Sequence, residues 1–334
     1  MEQIALGDTD RTTTRLGFGC SSVMGAMGRR ASLAILEAAY DAGIRHFDVA
    51  PRYGYGEAES CLGEFLLRHR NQVTVTTKYG IPPAKKSPLI SAARRIAGPL
   101  IKTFPPLKHR LAQAAKAATR TSETATFTAQ QAKSSLERSL IALRTDHIDL
   151  WLLHEASAAD LHDDTLLHLL EQEKQRGTIG TFGIGSSADK LTALLAERPS
   201  YCHALQYEWS VLAANVDVLH TASAKPFRIH HRALTDNFRS LHRALTENRE
   251  LCQSWSASTN MDLSNAKDLA RLMLKAAILM NPASIILFSS KNSHHIEANA
   301  QVVDDRTLDA PAAALYRLIQ SERDQLFPRR MGAT

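Results

Sequence analysis

The feature that most constrains the fold is a repeated alternation of helix-like and strand-like segments along the chain. Segments with apolar residues at helical spacing, such as ASLAILEAAYDAG, precede short apolar segments such as IRHFD. Eight strand-like segments occur between LGFGC and SIILFSS, and most are separated by a helix-like segment. Parallel strands need crossover helices, and eight strand–helix units close into a barrel with a packed interior. The pattern therefore predicts an α/β protein with a (β/α)8 barrel.

A doubly wound open sheet is the alternative arrangement for the same alternation. No G-x-G-x-x-G pattern follows the first strand, which disfavours the dinucleotide-binding form of that fold. The 334 residues, 44% of them hydrophobic, suffice for one barrel-sized core. We expect residues 1–334 to form a single barrel domain with an N-terminal β-hairpin ahead of the first barrel strand.

The positive charge of the chain is concentrated in one stretch. The formal net charge is +6, and the stretch from Ala84 to Arg120 holds nine Lys or Arg and no Asp or Glu. Removing these nine from the total of 40 leaves 31 basic residues against 34 acidic ones. Aromatic residues do not alternate with these charges, as they would on a surface that stacks bases, so we do not expect nucleic-acid binding.

The basic stretch belongs to a predicted insert at about residues 82–126, between the third strand and the next barrel helix. A loop of a few residues would suffice there. We expect two short helices, roughly Leu89–Ile101 and Leu107–Ala118, that give the substrate pocket a positive wall. Such a wall would attract an anionic substrate or an acidic partner surface. An alanine- and lysine-rich surface segment without this role is the alternative.

Cysteine usage and hydropathy indicate a cellular compartment. The four cysteines lie far apart and show no metal-ligand spacing. No apolar run is long enough for a membrane span, and no charged-then-apolar segment marks export. We therefore predict a cytoplasmic protein without a metal site or a membrane span.

Polar residues end three consecutive predicted strands, namely Asp48, Lys78 and His154. Each alone has a structural explanation, as a loop cap, a lysine reaching solvent or a buried imidazole. Active sites of (β/α)8 barrels gather at this end of the strands, so their joint placement predicts a functional site. Two tyrosines, Tyr53 and Tyr55, lie on the loop that follows Asp48.

These residue types suit the reduction of a carbonyl group. A phenol, with a pKa of about 10, becomes a useful general acid when a neighbouring cation stabilises its phenolate. A buried lysine held charged by an aspartate would supply that cation. A neutral histidine that donates to the same carbonyl oxygen would orient it and share the developing charge.

Three ordered segments, DAGIRHFDVAPRYGYGEAESCLGEFL, TTKYG and SLERSLIALRTDHIDLWLLHEA, resemble the signature segments of the aldo-keto reductase superfamily, and more loosely its sugar-dehydrogenase branch. The resemblance extends from about Thr14 to Asn299. It implies a catalytic tetrad in which Tyr53 is the proton donor, whereas Tyr55 falls two positions late for that role. The implied tetrad is Asp48, Tyr53, Lys78 and His154.

The resemblance also implies a nicotinamide dinucleotide bound without a Rossmann domain. FGIGSS and LQYEWS would place Ser186 and Gln206 at the carboxamide, although Gly185-Ser186 stands where the family usually has Ser-Asn. RIHHRAL would place His231 where an aromatic ring stacks on the nicotinamide. SIILFSSKNSHHIEANA resembles the family's phosphate-binding segment, where a helix start, hydroxyls and a cation receive the 2′-phosphate. The implied contacts are Ser289, Ser290 and Lys291 with that phosphate, and His295 and Asn299 near the adenine. The lysine favours NADP(H) over NAD.

The sequence thus predicts an NADP-dependent oxidoreductase for an aldehyde, a ketone or a sugar lactol, including anionic ones. Two other functions stay open. Lys78 could form a Schiff base in an aldolase, since a desolvated lysine is a nucleophile. A sensor that binds NADPH without turnover is the second. Substrate identity, reaction direction and oligomeric state are not predicted.

Overall fold

The computed structural model describes residues 1–25, 27–82, 126–212 and 225–326, and shows a closed barrel of eight parallel strands. Hydrogen bonding joins the strands in the closed order β10-β3-β4-β5-β6-β7-β8-β9. Each corresponds to one of the eight strand-like segments, so the predicted (β/α)8 barrel is confirmed. The strands are β3 (Leu16–Gly19), β4 (His46–Asp48), β5 (Thr74–Tyr79), β6 (Ile148–His154), β7 (Ile179–Gly185), β8 (Ala204–Glu208), β9 (Phe227–His231) and β10 (Ser284–Phe288).

Helices surround the barrel, and Asp309–Leu326 packs against two other helices, Ala266–Met280 and Arg249–Thr259. Within the described residues they are α1 (Arg29–Asp41), α2 (Ala58–His69), α3 (Ala129–Leu143), α4 (Asp164–Gln175), α5 (Ala188–Glu197), α6 (Thr235–Glu247), α7 (Arg249–Thr259), α8 (Ala266–Met280), α9 (Ser293–Asp304) and α10 (Asp309–Leu326). The sequence pattern did not predict α6, α7 or α10. In α6 only two residues, Leu241 and Leu245, are buried, which leaves a narrow apolar stripe. No helix in the described part of the chain is long and apolar enough to cross a membrane.

An antiparallel hairpin closes the amino-terminal end of the barrel, as predicted. Strand β1 (Gln3–Ala5) pairs with β2 (Thr12–Thr14), and Leu6 follows β1. Leu6 is fully buried in an interior cluster that includes Leu150 and Ile285. The hairpin therefore plugs one end of the barrel with apolar side chains, and the other end remains for a site.

Buried ion pairs and backbone contacts stabilise the same plugged end. Asp149 of β6 accepts a hydrogen bond from the Val75 backbone nitrogen at 2.8 Å and pairs with Arg70 at 2.9 Å. Arg15, which follows β2, donates to the carbonyl oxygens of Ile278 and Asn281. The partners of these charged groups are therefore strands and loops of the protein itself.

The predicted basic insert begins and ends at the opposite end of the barrel. Residues 83–125, including both predicted insert helices, lie outside the described residues. Around their two ends, the Tyr79 hydroxyl donates to the Thr126 carbonyl oxygen. The Tyr79 ring also packs edge-on against Phe127, with 5.5 Å between ring centroids. Both ends of the insert are thus attached next to Lys78.

Candidate active site

The carboxyl ends of β4, β5 and β6 bring three predicted site residues to one level of the barrel. Parallel pairing sets Asp48 beside Thr76, Lys78 beside Leu152, and His154 beside Gly185. Side chains two residues apart on a strand point to the same face, and adjacent strands hold their ends close together. The closed sheet therefore gathers these groups at the mouth, opposite the hairpin plug.

A buried ion pair forms the centre of the site. The Lys78 ammonium lies 2.7 Å from both carboxylate oxygens of Asp48 and donates to the Val49 carbonyl oxygen at 3.1 Å. Lys78 is 1% exposed and Asp48 is 3% exposed. Burial alone lowers the pKa of Lys78, but Asp48 and Tyr53 outweigh it and raise that pKa above its usual value. The lysine is therefore charged at neutral pH.

The loop after β4 returns Tyr53 to this ion pair. The Tyr53 backbone nitrogen donates to the Ala50 carbonyl oxygen at 2.9 Å, which closes a turn, and a short 3₁₀ segment runs over Tyr53–Gly56. Gly54 has a left-handed φ of 56°, and a Cβ there would lie 2.4 Å from the Val23 carbonyl oxygen. The Lys78 ammonium lies 5.3 Å from the centroid of the Tyr53 ring. Tyr55 is 46% exposed, so the structure places Tyr53 rather than Tyr55 against the ion pair.

The pKa of Tyr53 is raised, although its lysine neighbour by itself would lower it. Lys78 exerts the largest influence and lowers the pKa, but burial and the Asp48 carboxylate raise it. The net result is a pKa above the usual value of 10. Tyr53 therefore keeps its proton in the resting site, and the nearby ammonium stabilises the phenolate only once the proton has left.

Two imidazoles at the mouth are neutral. Burial, followed by the field of Lys78, lowers the pKa of His154 to about 3 and that of His231 to about 4. Arg52 also lowers the pKa of His154. A neutral imidazole has one N–H donor, so His154 has the form needed to donate to a carbonyl oxygen. His231 lies at the end of β9, paired with Glu208 of β8.

Gln206 binds the ion pair through one half of its amide. Its Nε2 donates to Asp48 Oδ2 at 2.7 Å, a contact that sequence reasoning missed. Its Oε1 faces Gly185, where it lies 3.5 Å from the position that a Cβ would occupy. One of the two Nε2 donors is thus used by Asp48, and Oε1 is the acceptor of the amide.

Glu155 is a second group at the mouth that sequence reasoning missed. Its backbone φ is 66°, in the left-handed region, and its backbone nitrogen donates to the Gly185 carbonyl oxygen at 2.7 Å. Its carboxylate lies 3.5 Å from the Ser186 hydroxyl and 3.2 Å from the Lys190 ammonium. The signal available in the sequence was its position directly after His154.

The predicted phosphate-binding residues lie at the end of β10 and the start of α9. Ser289 donates to the Gly19 carbonyl oxygen at 2.7 Å, and Asn292 caps α9 by accepting from the His294 backbone nitrogen. Lys291 and His295 are exposed, whereas Ser290 and Asn299 are half-buried. Within the described residues, no hydrogen bond or ion pair joins this group to the Asp48–Lys78 pair. The structure therefore separates the predicted site residues into a buried centre and an exposed helix start.

Comparison with known proteins decides the family. The model of the Aldo/keto reductase family matches residues 15–316. The chain belongs to the aldo/keto reductase family. Solved structures of a glycerol dehydrogenase from Gluconobacter oxydans and an aldo-keto reductase from Bacillus halodurans share its fold, with TM-scores of 0.68 and 0.66. They are 15% and 18% identical and cover 99% and 95% of this chain, and 98% and 96% of their own chains.

Curated relatives of this aldo-keto reductase match over shorter stretches. A D-threo-aldose 1-dehydrogenase from Pseudomonas sp is 32% identical over 191 residues, 54% of this chain and 53% of the relative. A pyridoxal 4-dehydrogenase from Microbacterium luteolum is 40% identical over 105 residues, 27% of this chain and 31% of the relative. The matches thus span about half or less of these relatives.

The polar groups of this aldo-keto reductase fit the two ends of a nicotinamide dinucleotide. At the barrel mouth, Gln206 Oε1 and the Ser186 hydroxyl match the amide of a nicotinamide, and the neutral ring of His231 offers a flat face. At the start of α9, the exposed Lys291 ammonium and the helix N-terminus suit a phosphate. No cluster of three or more His, Cys, Asp or Glu able to hold a metal occurs in residues 1–25, 27–82, 126–212 and 225–326.

Proposed function

We propose that this protein is an NADP-dependent oxidoreductase that transfers a hydride between nicotinamide and the carbonyl or alcohol carbon of an aldehyde, a ketone or a sugar lactol. The observation that carries the proposal is the buried Asp48–Lys78 pair beneath Tyr53, with neutral His154 at the next strand end. In this family such an arrangement serves carbonyl oxidoreduction. The alternation of strands and helices does not by itself require it.

The residues divide the chemistry among them. Tyr53 and neutral His154 hold the carbonyl oxygen of the substrate, and when bound the nicotinamide supplies the hydride to the carbonyl carbon. As negative charge develops on the oxygen, Tyr53 transfers its hydroxyl proton to it. Lys78 stabilises the phenolate that remains, and Asp48 keeps Lys78 charged. Oxidation of an alcohol uses the same groups in reverse, with the phenolate as base.

The cofactor contacts follow from the two groups of polar residues. Ser186 and Gln206 would bind the carboxamide, and His231 would lie against the nicotinamide ring. Ser289, Ser290 and Lys291 would bind the adenosine 2′-phosphate, with His295 and Asn299 near the adenine. A cation at the helix start favours NADP over NAD, because only NADP carries that phosphate. The D-threo-aldose 1-dehydrogenase among the relatives supports a sugar as substrate.

The state of Lys78 bears on the aldolase alternative, and the state of the cysteines bears on the cellular compartment. Lys78 is charged and engaged by three oxygen atoms, which disfavours a Schiff-base aldolase, since that reaction needs a neutral lysine. The four cysteines are free and buried, a state that suits the cytoplasm, where we propose the enzyme acts.

The test is NADPH oxidation by the purified protein with a panel of aldoses and simple aldehydes. Tyr53→Phe is expected to lower kcat by about 100- to 10,000-fold while NADPH still binds, because the ring remains and only the acid is lost. Tyr55→Phe removes a hydroxyl from the same loop and is the matched control, with kcat expected to stay close to wild type.

Three results would decide against the proposed enzyme. Turnover that survives Tyr53→Phe contradicts the mechanism. NADPH binding without multiple turnover on any substrate favours the sensor. A borohydride-trapped substrate adduct on Lys78 favours the aldolase.

A further inference from the structure

Arg52 lies at the tip of the turn that carries the proposed acid. The turn closes through the hydrogen bond from the Tyr53 nitrogen to the Ala50 carbonyl oxygen, with Pro51 and Arg52 as its two central residues. The Arg52 backbone angles of −79° and −15° are those of the third residue of a type I turn. Its side chain is exposed at the mouth, one residue before Tyr53. Nothing in this turn requires an arginine, since most residues fit the position.

The cation of Arg52 has no protein partner in the part of the chain that the structure describes. No hydrogen bond or ion pair to it occurs within residues 1–25, 27–82, 126–212 and 225–326. Two arginines at the plugged end of the barrel differ from Arg52 in this respect: Arg70 pairs with the Asp149 carboxylate, and Arg15 donates to the Asn281 carbonyl oxygen.

Two carboxylates at the same mouth are paired with other cations. Glu155, after β6, pairs with Lys190 at 3.2 Å, and Glu208, at the end of β8, pairs with Arg232 at 3.1 Å. The carboxylates of Glu155 and Glu208 are therefore not partners of Arg52.

The field of Arg52 reaches the reaction centre. Burial, Lys78 and then Arg52 lower the pKa of His154, so the charge of Arg52 is felt at that imidazole, and Arg52 directly precedes Tyr53 in the turn. An anion bound there would be attracted by Arg52 while its carbonyl oxygen meets Tyr53 and His154. A neutral sugar would leave the guanidinium without a partner.

We propose that Arg52 binds an anionic group, a carboxylate or a phosphate, of the carbonyl substrate. The inference rests on the proposed function and adds a substrate class to it. A guanidinium suits either group because its parallel N–H donors match two oxygen atoms at once. Arg52 thereby sets specificity, while Tyr53 and His154 act on the carbonyl oxygen itself.

The experiment uses pairs of aldehydes that differ in charge. Succinic semialdehyde is compared with butanal, and glyceraldehyde phosphate with glyceraldehyde, all with NADPH and the full-length protein. For Arg52→Gln, the ratio of kcat/KM between the charged and the neutral member is expected to fall about 10- to 100-fold, mainly through KM, as loss of a charge-assisted hydrogen bond implies. The pair with the larger fall shows whether the group is a carboxylate or a phosphate.

Two further variants separate binding from folding. Arg52→Lys keeps the charge without the paired donors and is expected to restore part of the ratio. Arg144→Gln removes the same charge from the other end of the barrel, after α3, and is expected to leave the ratio unchanged. Thermal unfolding of each variant checks that the fold is intact.

The outcomes distinguish this inference from the proposed function. An equal effect of Arg52→Gln on both members of each pair, or a wild-type preference for the neutral member of both pairs, would overturn the role of Arg52 and leave the reductase intact. If the wild-type protein reduces no aldehyde, ketone or aldose and oxidises no sugar lactol, the proposed function fails, and the role of Arg52 fails with it.

Discussion

At the plugged end of the barrel, Asp149 accepts hydrogen bonds from Arg70 and from the Val75 backbone, and every one of these groups is used to hold strands and loops together. At the open end, Asp48 accepts from Lys78 and Gln206 in a similar way. The groups around it differ, however: the Tyr53 ring lies 5.3 Å from the Lys78 ammonium, and the neutral His154 imidazole ends β6. Asp149 and Asp48 are both buried and accept similar hydrogen bonds. They differ in the other side chains that lie around them.

Replacing the buried aspartate by asparagine at each end should give the largest difference between the two ends. Asp48→Asn leaves Lys78 without its counter-charge and is expected to lower kcat by about 100-fold or more. Asp149→Asn leaves Arg70 buried without a charge partner and is expected to cost about 3 kcal/mol of unfolding free energy while kcat stays near wild type. Chemical denaturation and steady-state rates measure the two effects. A large loss of kcat in Asp149→Asn would show that the ends are not independent.

A buried histidine connects the two ends and makes stability depend on pH. His46 Nδ1 lies 2.9 Å from the Thr74 hydroxyl, which in turn lies 2.6 Å from that of Thr13 on the hairpin. Its Nε2 lies 3.2 Å from the hydroxyl of Thr76, the residue paired with Asp48. Burial lowers the pKa of His46 from 6.5 to about 3.

The sign of the effect follows from proton binding. Below pH 6.5 the unfolded chain takes up a proton that folded His46 refuses until about pH 3, so stability falls as pH drops through this window. The loss from His46 alone is about 2 kcal/mol at pH 5. His46→Gln should flatten the dependence of unfolding free energy on pH by that amount. An unchanged slope in His46→Gln would mean that the folded and the unfolded chain take up this proton at the same pH.

The smallest expected effect is on cofactor binding, from a substitution at the exposed start of α9. Lys291→Gln removes one solvent-exposed cation, and we expect NADPH to bind about tenfold more weakly with NADH little affected. Binding of each cofactor, measured by fluorescence titration, gives the ratio directly. His294→Gln, on the same helix start, is the matched control. A similar loss for both cofactors would indicate that Lys291 does not contact the 2′-phosphate.

Local sequence signals predicted the strands and the polar residues at their ends well. An apolar segment that stops at Asp48, Lys78 or His154 indicates both the strand and the polar residue at its carboxyl end. The sequence pattern did not predict helices α6 and α7, because their apolar stripes are narrow and their polar residues are numerous. The contact from Gln206 to Asp48 spans 158 positions, and no local pattern encodes it.

The sequence by itself determined the eight strands, the barrel, and which residue types stand at the carboxyl ends of the strands, because hydrophobic periodicity and strand termination are local properties. Tertiary structure alone decided which charges find partners. The ordinary pKa of a phenol says nothing about the balance of Lys78, Asp48 and burial that raises the pKa of Tyr53. Nor does the sequence show that Glu155 and Glu208 pair with cations other than Arg52. Electrostatic energy depends on distance and burial in the folded chain.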